Sequence, residues 1–376
     1  MKFHCSQEEL YLGVSVVQRA VSAKNTIPIL GGVYLEATSN NKLILRSTDL
    51  EIGIEHIINV TTSEPGKVVL PAKYFVDIVR RLPNTNINLE LINNALLITY
   101  EKSKLNINTF PAEEFPNLPI IDELNNFTLA ANVFKKAIRQ VSIAASPIDN
   151  NRPIFTGILM DFSKDNELTV VATDTHRLTY RTEKVKSSEV NADKLDIIVP
   201  SKVLLEISRL IDSDSIINLI IGKNNQVVFK FGSTSIFSRL IQGQFPNYKQ
   251  VIPVSFKSEI KISTKSFLDS LERAALLNRE EEAKKKSNNV KLLFQEDVLS
   301  IDSYAAEVGN IHEELNVTIE GEEFEISFNA KYLLDVLKVL EEEYINFKLT
   351  GPLSPAIIEP ISDDNFLYLV LPVRSN

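Results

Sequence analysis

Tryptophan is absent from the 376 residues, cysteine occurs once, methionine twice and histidine four times. The lone Cys5 excludes an internal disulfide. His4, His56, His176 and His312 stand at no metal-ligand spacing, so a zinc site is not expected. No H-x-x-x-H, Walker A, G-x-S-x-G or G-x-G-x-x-G sequence occurs either. Apolar runs such as Leu367–Leu371 fall far short of the roughly 20 residues that cross a bilayer. The opening MKFHCSQEEL lacks the apolar core of a secretory signal. The expectation is a cytoplasmic protein with no cofactor, no metal and no catalysis.

A surplus of positive charge is also missing. The net charge is −9, so contact with nucleic acid requires local segregation of cations. Hydrophobic content of 44% and charged content of 24% are ordinary for a globular protein. At roughly 100–150 residues per domain, the length suits three domains.

What is present is one pattern three times. Residues 69 to 82 read VLPAKYFVDIVRRL, 198 to 211 read IVPSKVLLEISRLI, and 327 to 340 read SFNAKYLLDVLKVL. Lys73, Lys202 and Lys331 are separated by 129 residues each time, too long for a solenoid unit and right for a domain. In that register Asp77, Glu206 and Asp335 share a column, as do Arg80, Arg209 and Lys338.

Each repeat predicts two helices and several strands. Helical spacing marks residues 8 to 24, 131 to 145 and 264 to 277, and again the three lysine-bearing segments. Pro-rich connectors at 110 to 123 and 243 to 254 both contain Phe-Pro-Asn and read as extended links. The implied domains are 1–122, 123–252 and 253–376. Cations oppose the apolar stripe on the helices: Lys73 and Arg80 on one, and Lys135, Lys136 and Arg139 on the acid-free 131 to 145 helix. The third repeat is weaker, because Asp269 and Glu272 accompany Lys265 and Arg273. Any one such helix is an ordinary solvated face; repetition in an acidic protein points to a sequence-blind phosphate surface.

Specific segments then add up to a resemblance. Ala172-Thr173-Asp174-Thr175-His176-Arg177-Leu178 resembles the bacterial sliding-clamp family, the β subunit of DNA polymerase III. So do Thr26-Ile27-Pro28-Ile29-Leu30, Thr48-Asp49-Leu50-Glu51, Phe115-Pro116-Asn117-Leu118, Phe245-Pro246-Asn247-Tyr248 and Leu371-Pro372-Val373-Arg374, in order along the whole chain. The resemblance implies an α+β DNA-clamp fold of three tandem domains, each with two helices packed on antiparallel sheets. It also implies a head-to-tail homodimeric ring that encircles double-stranded DNA and tethers the replicative polymerase. A clamp loader and other proteins carrying a clamp-binding peptide are the further partners implied.

Residue by residue, the resemblance carries DNA contact to Lys24, Lys73 and Arg152. Lys135, Lys136, Arg139 and Lys202 join them from the helix faces. A partner-peptide pocket is implied with apolar lining from Phe155, Leu178, Pro246, Val251, Leu353, Val370, Leu371, Pro372 and Val373. Thr173, Thr175, His176, Arg177, Asn329, Tyr332 and Arg374 belong to its walls and rim. The ring contact is expected from Leu105 and Ile107 against Leu276 and Leu277. Pro153 and Ile154 stand where some members carry aromatics.

Asp49 and Asp174 recur at matching positions, whereas Tyr304 occupies the third. A turn-capping role tolerates that change and a catalytic role does not. Two further readings stay open at this level: an oligomeric scaffold that never touches nucleic acid, and a DNA-binding protein that forms no ring.

Overall fold

The computed structural model describes residues 1–21, 27–149, 151–164, 166–187, 195–277, 289–305 and 308–373. Six helices carry the repeat: α1 (Gln7–Val17), α2 (Ala72–Arg81), α3 (Ala131–Val141), α4 (Ser201–Leu210), α5 (Thr264–Leu276) and α6 (Ala330–Leu337). The helices α2, α4 and α6 begin at the equivalent positions of the three lysine-bearing segments, directly after a strand ending at 71, 200 or 329. The first helix is shorter than its periodicity predicts. It stops at Val17 and tightens into a 3₁₀ turn, Gln18–Ala20. Its start is fixed by Ser6 as N-cap, whose Oγ accepts from the Glu9 N–H at 3.2 Å and donates to the Glu9 carboxylate at 2.9 Å.

The chain forms two compact units. The first is built mainly from Met1–Asn132 and Lys202–Leu240, the second mainly from Val133–Val185 and Ile241–Asn376. The first unit holds a five-stranded antiparallel sheet with Thr61–Glu64 and Ser103–Asn108 at its edges. It also holds a nine-stranded sheet in which Thr234–Arg239 pairs with Ile52–Asn59, Ser238 opposite Ile52. The second unit repeats the arrangement with four and nine strands. There Arg177–Lys184 pairs with Phe366–Val370, Arg177 opposite Val370. In both units the long sheet therefore crosses a boundary of the sequence repeat.

Alternating apolar residues bury one face of each strand. In the second unit Phe347 packs against Phe267, Phe294 and Phe328, with ring centroids 5.5–6.2 Å apart. On α2 the buried side is Phe75, Val76 and Val79, and Ile78 is half-buried beside it. The Phe-Pro-Asn connectors are docked rather than free: Phe115 lies against Tyr34, and Phe245 joins a core with Leu178 and Tyr248. Cys5 is buried, and burial pushes its thiol up to about 12.

Candidate functional site

In the second unit a short turn joins strand Glu167–Thr173 to strand Arg177–Lys184. Thr173 Oγ1 donates to the Arg177 carbonyl at 2.7 Å and accepts from the Thr175 N–H at 3.1 Å. Asp174 Oδ1 accepts from the His176 and Arg177 amides, both at 3.0 Å. Asp174 thus satisfies local backbone donors, the role its recurrence implied. Thr175 takes φ +77°, which turns His176 outward to stack on Tyr332 with ring centroids 6.2 Å apart.

Arg177 is the fixed point of this surface. It is 8% exposed, donates to Asp174 Oδ2 at 3.0 Å and to Asp335 Oδ2 at 2.5 Å, and its guanidinium lies 4.5 Å from the Tyr332 ring centroid. Two carboxylates and a π face satisfy a planar cation that burial would otherwise disfavour. Tyr368, fully buried, donates its hydroxyl to the Tyr332 carbonyl at 2.8 Å and so anchors α6 beneath the turn. Burial, with Asp174 close by, pushes the Tyr332 phenol above its ordinary value. Asp335 explains an asymmetry in the repeat. Asp77 pairs with Arg80 at 2.8 Å and Glu206 with Arg209, each one helical turn along. In the third copy Asp335 leaves that pairing for Arg177, and Lys338 pairs with Glu272 at 3.0 Å.

The expected apolar lining divides in two. Phe155, Leu178 and Val370 are buried, so they are floor rather than contact surface. Val251 (52%), Leu353 (71%), Leu371 (37%) and Pro246 are exposed. The Leu371 N–H donates to the His176 carbonyl at 2.9 Å and the Val373 N–H to the Ser327 carbonyl at 2.8 Å, pinning the tail beside the turn through Pro372. Asn329 caps α6, its side chain accepting from the Lys331 N–H at 3.0 Å. Arg374 lies outside the described residues. Sequence reasoning left Asp335 and Tyr368 out of this site; the column of Asp77 and Glu206 marked Asp335, but its partner lies 158 residues away.

The cations sort by their partners. Lys73 and Lys202 are exposed on the first turns of α2 and α4 and make no ion pair among the described residues. Lys73 lies 5.9 Å from the Tyr74 ring centroid. Lys135 is half-buried on α3. Lys136 pairs with Asp363 at 2.9 Å, and Arg139 with Glu341 at 2.8 Å. The face of α3 that carries no acid of its own therefore meets acids from elsewhere in the unit. Arg181, 4% exposed, joins Asp363 at 3.0 Å and also pairs with Glu183. Burial alone would raise the Asp363 carboxyl, but Lys136 and Arg181 outweigh it and hold it down to about 2. Arg152 pairs with Asp149 at 3.2 Å over the Phe155 ring. Lys24 lies outside the described residues. Among the described residues no cluster of His, Cys, Asp and Glu could hold a metal ion.

Three family models match in succession. They are the N-terminal domain of the DNA polymerase III beta subunit over residues 1–119, its central domain over 128–247 and its C-terminal domain over 249–374. The chain belongs to the DNA polymerase III β-subunit family. A β-subunit relative, the beta sliding clamp of Bacillus subtilis, is 36% identical, with 100% of both chains covered. The crystal structure of the Bacillus subtilis DNA polymerase sliding clamp matches with a TM-score of 0.94 at 35% identity, again over 100% of both chains. The Pseudomonas aeruginosa DNA polymerase III subunit beta, solved bound to griselimycin, matches at 0.92 with 28% identity and the same coverage.

In this β-subunit family member the residues expected at a ring contact lie on or near sheet edges. Leu105 is half-buried and Ile107 is 7% exposed, both on the outer strand Ser103–Asn108 of the five-stranded sheet. Ile107 faces its own core, so what that strand offers outward is chiefly its unpaired backbone. Leu276 is 51% exposed and Leu277 half-buried at the end of α5, in the unit whose four-stranded sheet ends on strand Gly309–Asn316. No helix among the described residues is long and apolar enough to cross a membrane.

Proposed function

We propose that the chain is a DNA sliding clamp, which encircles duplex DNA without sequence preference and tethers the replicative polymerase, conferring processivity without catalysis of its own. Two copies close head to tail into a ring of six similar domains, with repeats at 1–122, 123–252 and 253–376. The strand Ser103–Asn108 of one copy meets Gly309–Asn316 of the next, and Leu276 and Leu277 cover the join. A clamp loader places the ring on DNA in the cytoplasm. The observation that carries this reading is the family match along the entire chain, with the three domain models in order.

The distribution of charge supports it. Lys24, Lys73, Lys135, Lys136, Arg139, Arg152 and Lys202 supply the phosphate contacts, and Lys136, Arg139 and Arg152 exchange an ion pair with an acid to do so. Each neutralised phosphate adds to affinity and to salt dependence. A small number of contacts keeps binding weak, which suits a ring held by topology, because strong contacts would stop it sliding. The turn at Thr173–Arg177 receives partner peptides: Arg177 and Tyr332 form a rigid wall, and Val251, Leu353 and Leu371 offer apolar surface for Leu- or Phe-sized anchors.

Retention on DNA of different topology tests the reading. The protein is loaded on nicked circular plasmid with an active clamp loader and ATP, separated from free protein, and the plasmid is then cut once. Retention before cutting and loss after it is the expected result. Equal retention on both forms would mean a DNA-binding protein without a ring, and no retention on either would favour a scaffold.

A further inference from the structure

The turn of the partner site has a twin in the first unit. Thr48 Oγ1 donates to the Ile52 carbonyl at 2.8 Å and accepts from the Leu50 N–H at 3.0 Å. Asp49 Oδ1 accepts from the Glu51 and Ile52 amides at 3.0 and 2.9 Å, and Leu50 takes φ +77°, the value found at Thr175. The Arg239 N–H donates to the Glu51 carbonyl at 3.2 Å, as Leu371 does to His176. Two chemical differences matter. Gly53 stands where the second unit has Leu178, and the Leu118 side chain takes the place a larger residue at 53 would need; Arg239 stands where the second unit has Leu371.

Beside this turn lies a cavity of about 160 Å³ with Leu50, Ile52, Leu118 and Phe237 among its lining residues. A void of roughly 150 Å³ holds one benzene ring, so this one admits a single Phe- or Leu-sized side chain. Its rim carries Glu51 and Arg239, neither of which forms an ion pair among the described residues. One wall is the extended segment at Asn117 and Leu118, whose amides pair with no backbone carbonyl among the described residues. Free backbone donors in an extended segment are what an added peptide strand uses.

We propose that this cavity is a second peptide site, taking an extended segment with one Phe or Leu anchor and an acidic residue next to it. The anchor fills the cavity between Leu50, Ile52, Leu118 and Phe237, the carboxylate pairs with Arg239, and the peptide backbone accepts from Asn117 and Leu118. The choice of a peptide rests in part on the reading of the equivalent turn in the second unit.

The test uses the full-length protein with labelled leucine methyl groups and the blocked peptide acetyl-Gly-Ser-Phe-Asp-Ser-Gly-amide, followed by NMR. Saturable shifts at the Leu50 and Leu118 methyls are expected. They should weaken roughly tenfold when the peptide Asp is changed to Asn or when the protein carries Arg239→Glu. They should persist in Tyr332→Ala, which alters only the other site. Shifts confined to Leu353 and Leu371, or none at millimolar peptide, would overturn the proposal. Because those two methyls report the second-unit site separately, failure of one reading is visible independently of the other. Leu50→Lys, at a position already 46% exposed, gives a second variant that blocks the cavity without touching the core.

Discussion

Replacing Asp335 by Asn should weaken the second unit and its partner site together, and by more than the same change elsewhere in the repeat. Arg177 is 8% exposed and the Asp335 side chain 30%, so the pair is shielded from water on one side. A hydrogen bond to a charged group contributes about 1.5–3 kcal/mol, and an Asn oxygen retains a neutral acceptor, leaving a loss of roughly 1–2 kcal/mol. In a unit of this size each kcal/mol lowers Tm by about 2–4 °C, so calorimetry should place the second unit's transition roughly 2–8 °C lower. The repeat supplies its own control. Asp77→Asn breaks a pair whose side chains are 55% and 52% exposed. Exposed pairs one turn apart contribute about 0.2–0.5 kcal/mol, so that variant should melt within about 2 °C of the parent. Partner-peptide affinity, read by titration calorimetry, should fall for Asp335→Asn and stay level for Asp77→Asn. Equal shifts in the two variants, or an unchanged transition for Asp335→Asn, would refute the claim that this acid positions Arg177.

Removing residues 372 to 376 deletes the amide that holds Val373 to Ser327; peptide binding should be lost while sedimentation still shows a dimer. Leu276→Asp combined with Leu277→Asp should give a folded monomer by light scattering, and a persistent dimer would place the ring contact elsewhere. Asp363 is depressed from 3.8 to about 2, so its contribution is full above its unfolded value and disappears as pH falls through about 2. Asp363→Asn should therefore cost about 2 kcal/mol near neutral pH, a difference that shrinks between roughly pH 4 and pH 2 in denaturant titrations.

Local signals in the sequence were strong where a single helix or turn decided the matter. The 129-residue spacing placed α2, α4 and α6, and the recurrence of Asp49 and Asp174 identified turn caps that the hydrogen bonds display. Long-range pairing was not legible. Nothing in α3 itself reveals that Asp363 and Glu341 neutralise Lys136 and Arg139, because those acids lie more than 200 residues away in the chain. The same limit hid the diversion of Asp335 to Arg177. The burial of Leu178 and Phe155 was not legible either, since apolar character alone does not say how far a side chain is covered.

The pairing of Ser238 with Ile52 and of Arg177 with Val370 sets a limit on modularity. The middle repeat owns neither of the long sheets it helps to build. Excised as residues 123 to 252, it would carry two raw strand edges, Thr234–Arg239 and Arg177–Lys184, with half a core behind each. Such edges invite pairing with any other chain and favour aggregation over folding. The period that is plain in the amino-acid order is therefore not a set of dotted lines for cutting: three repeats are copied in sequence, but only interleaved do they make folded matter.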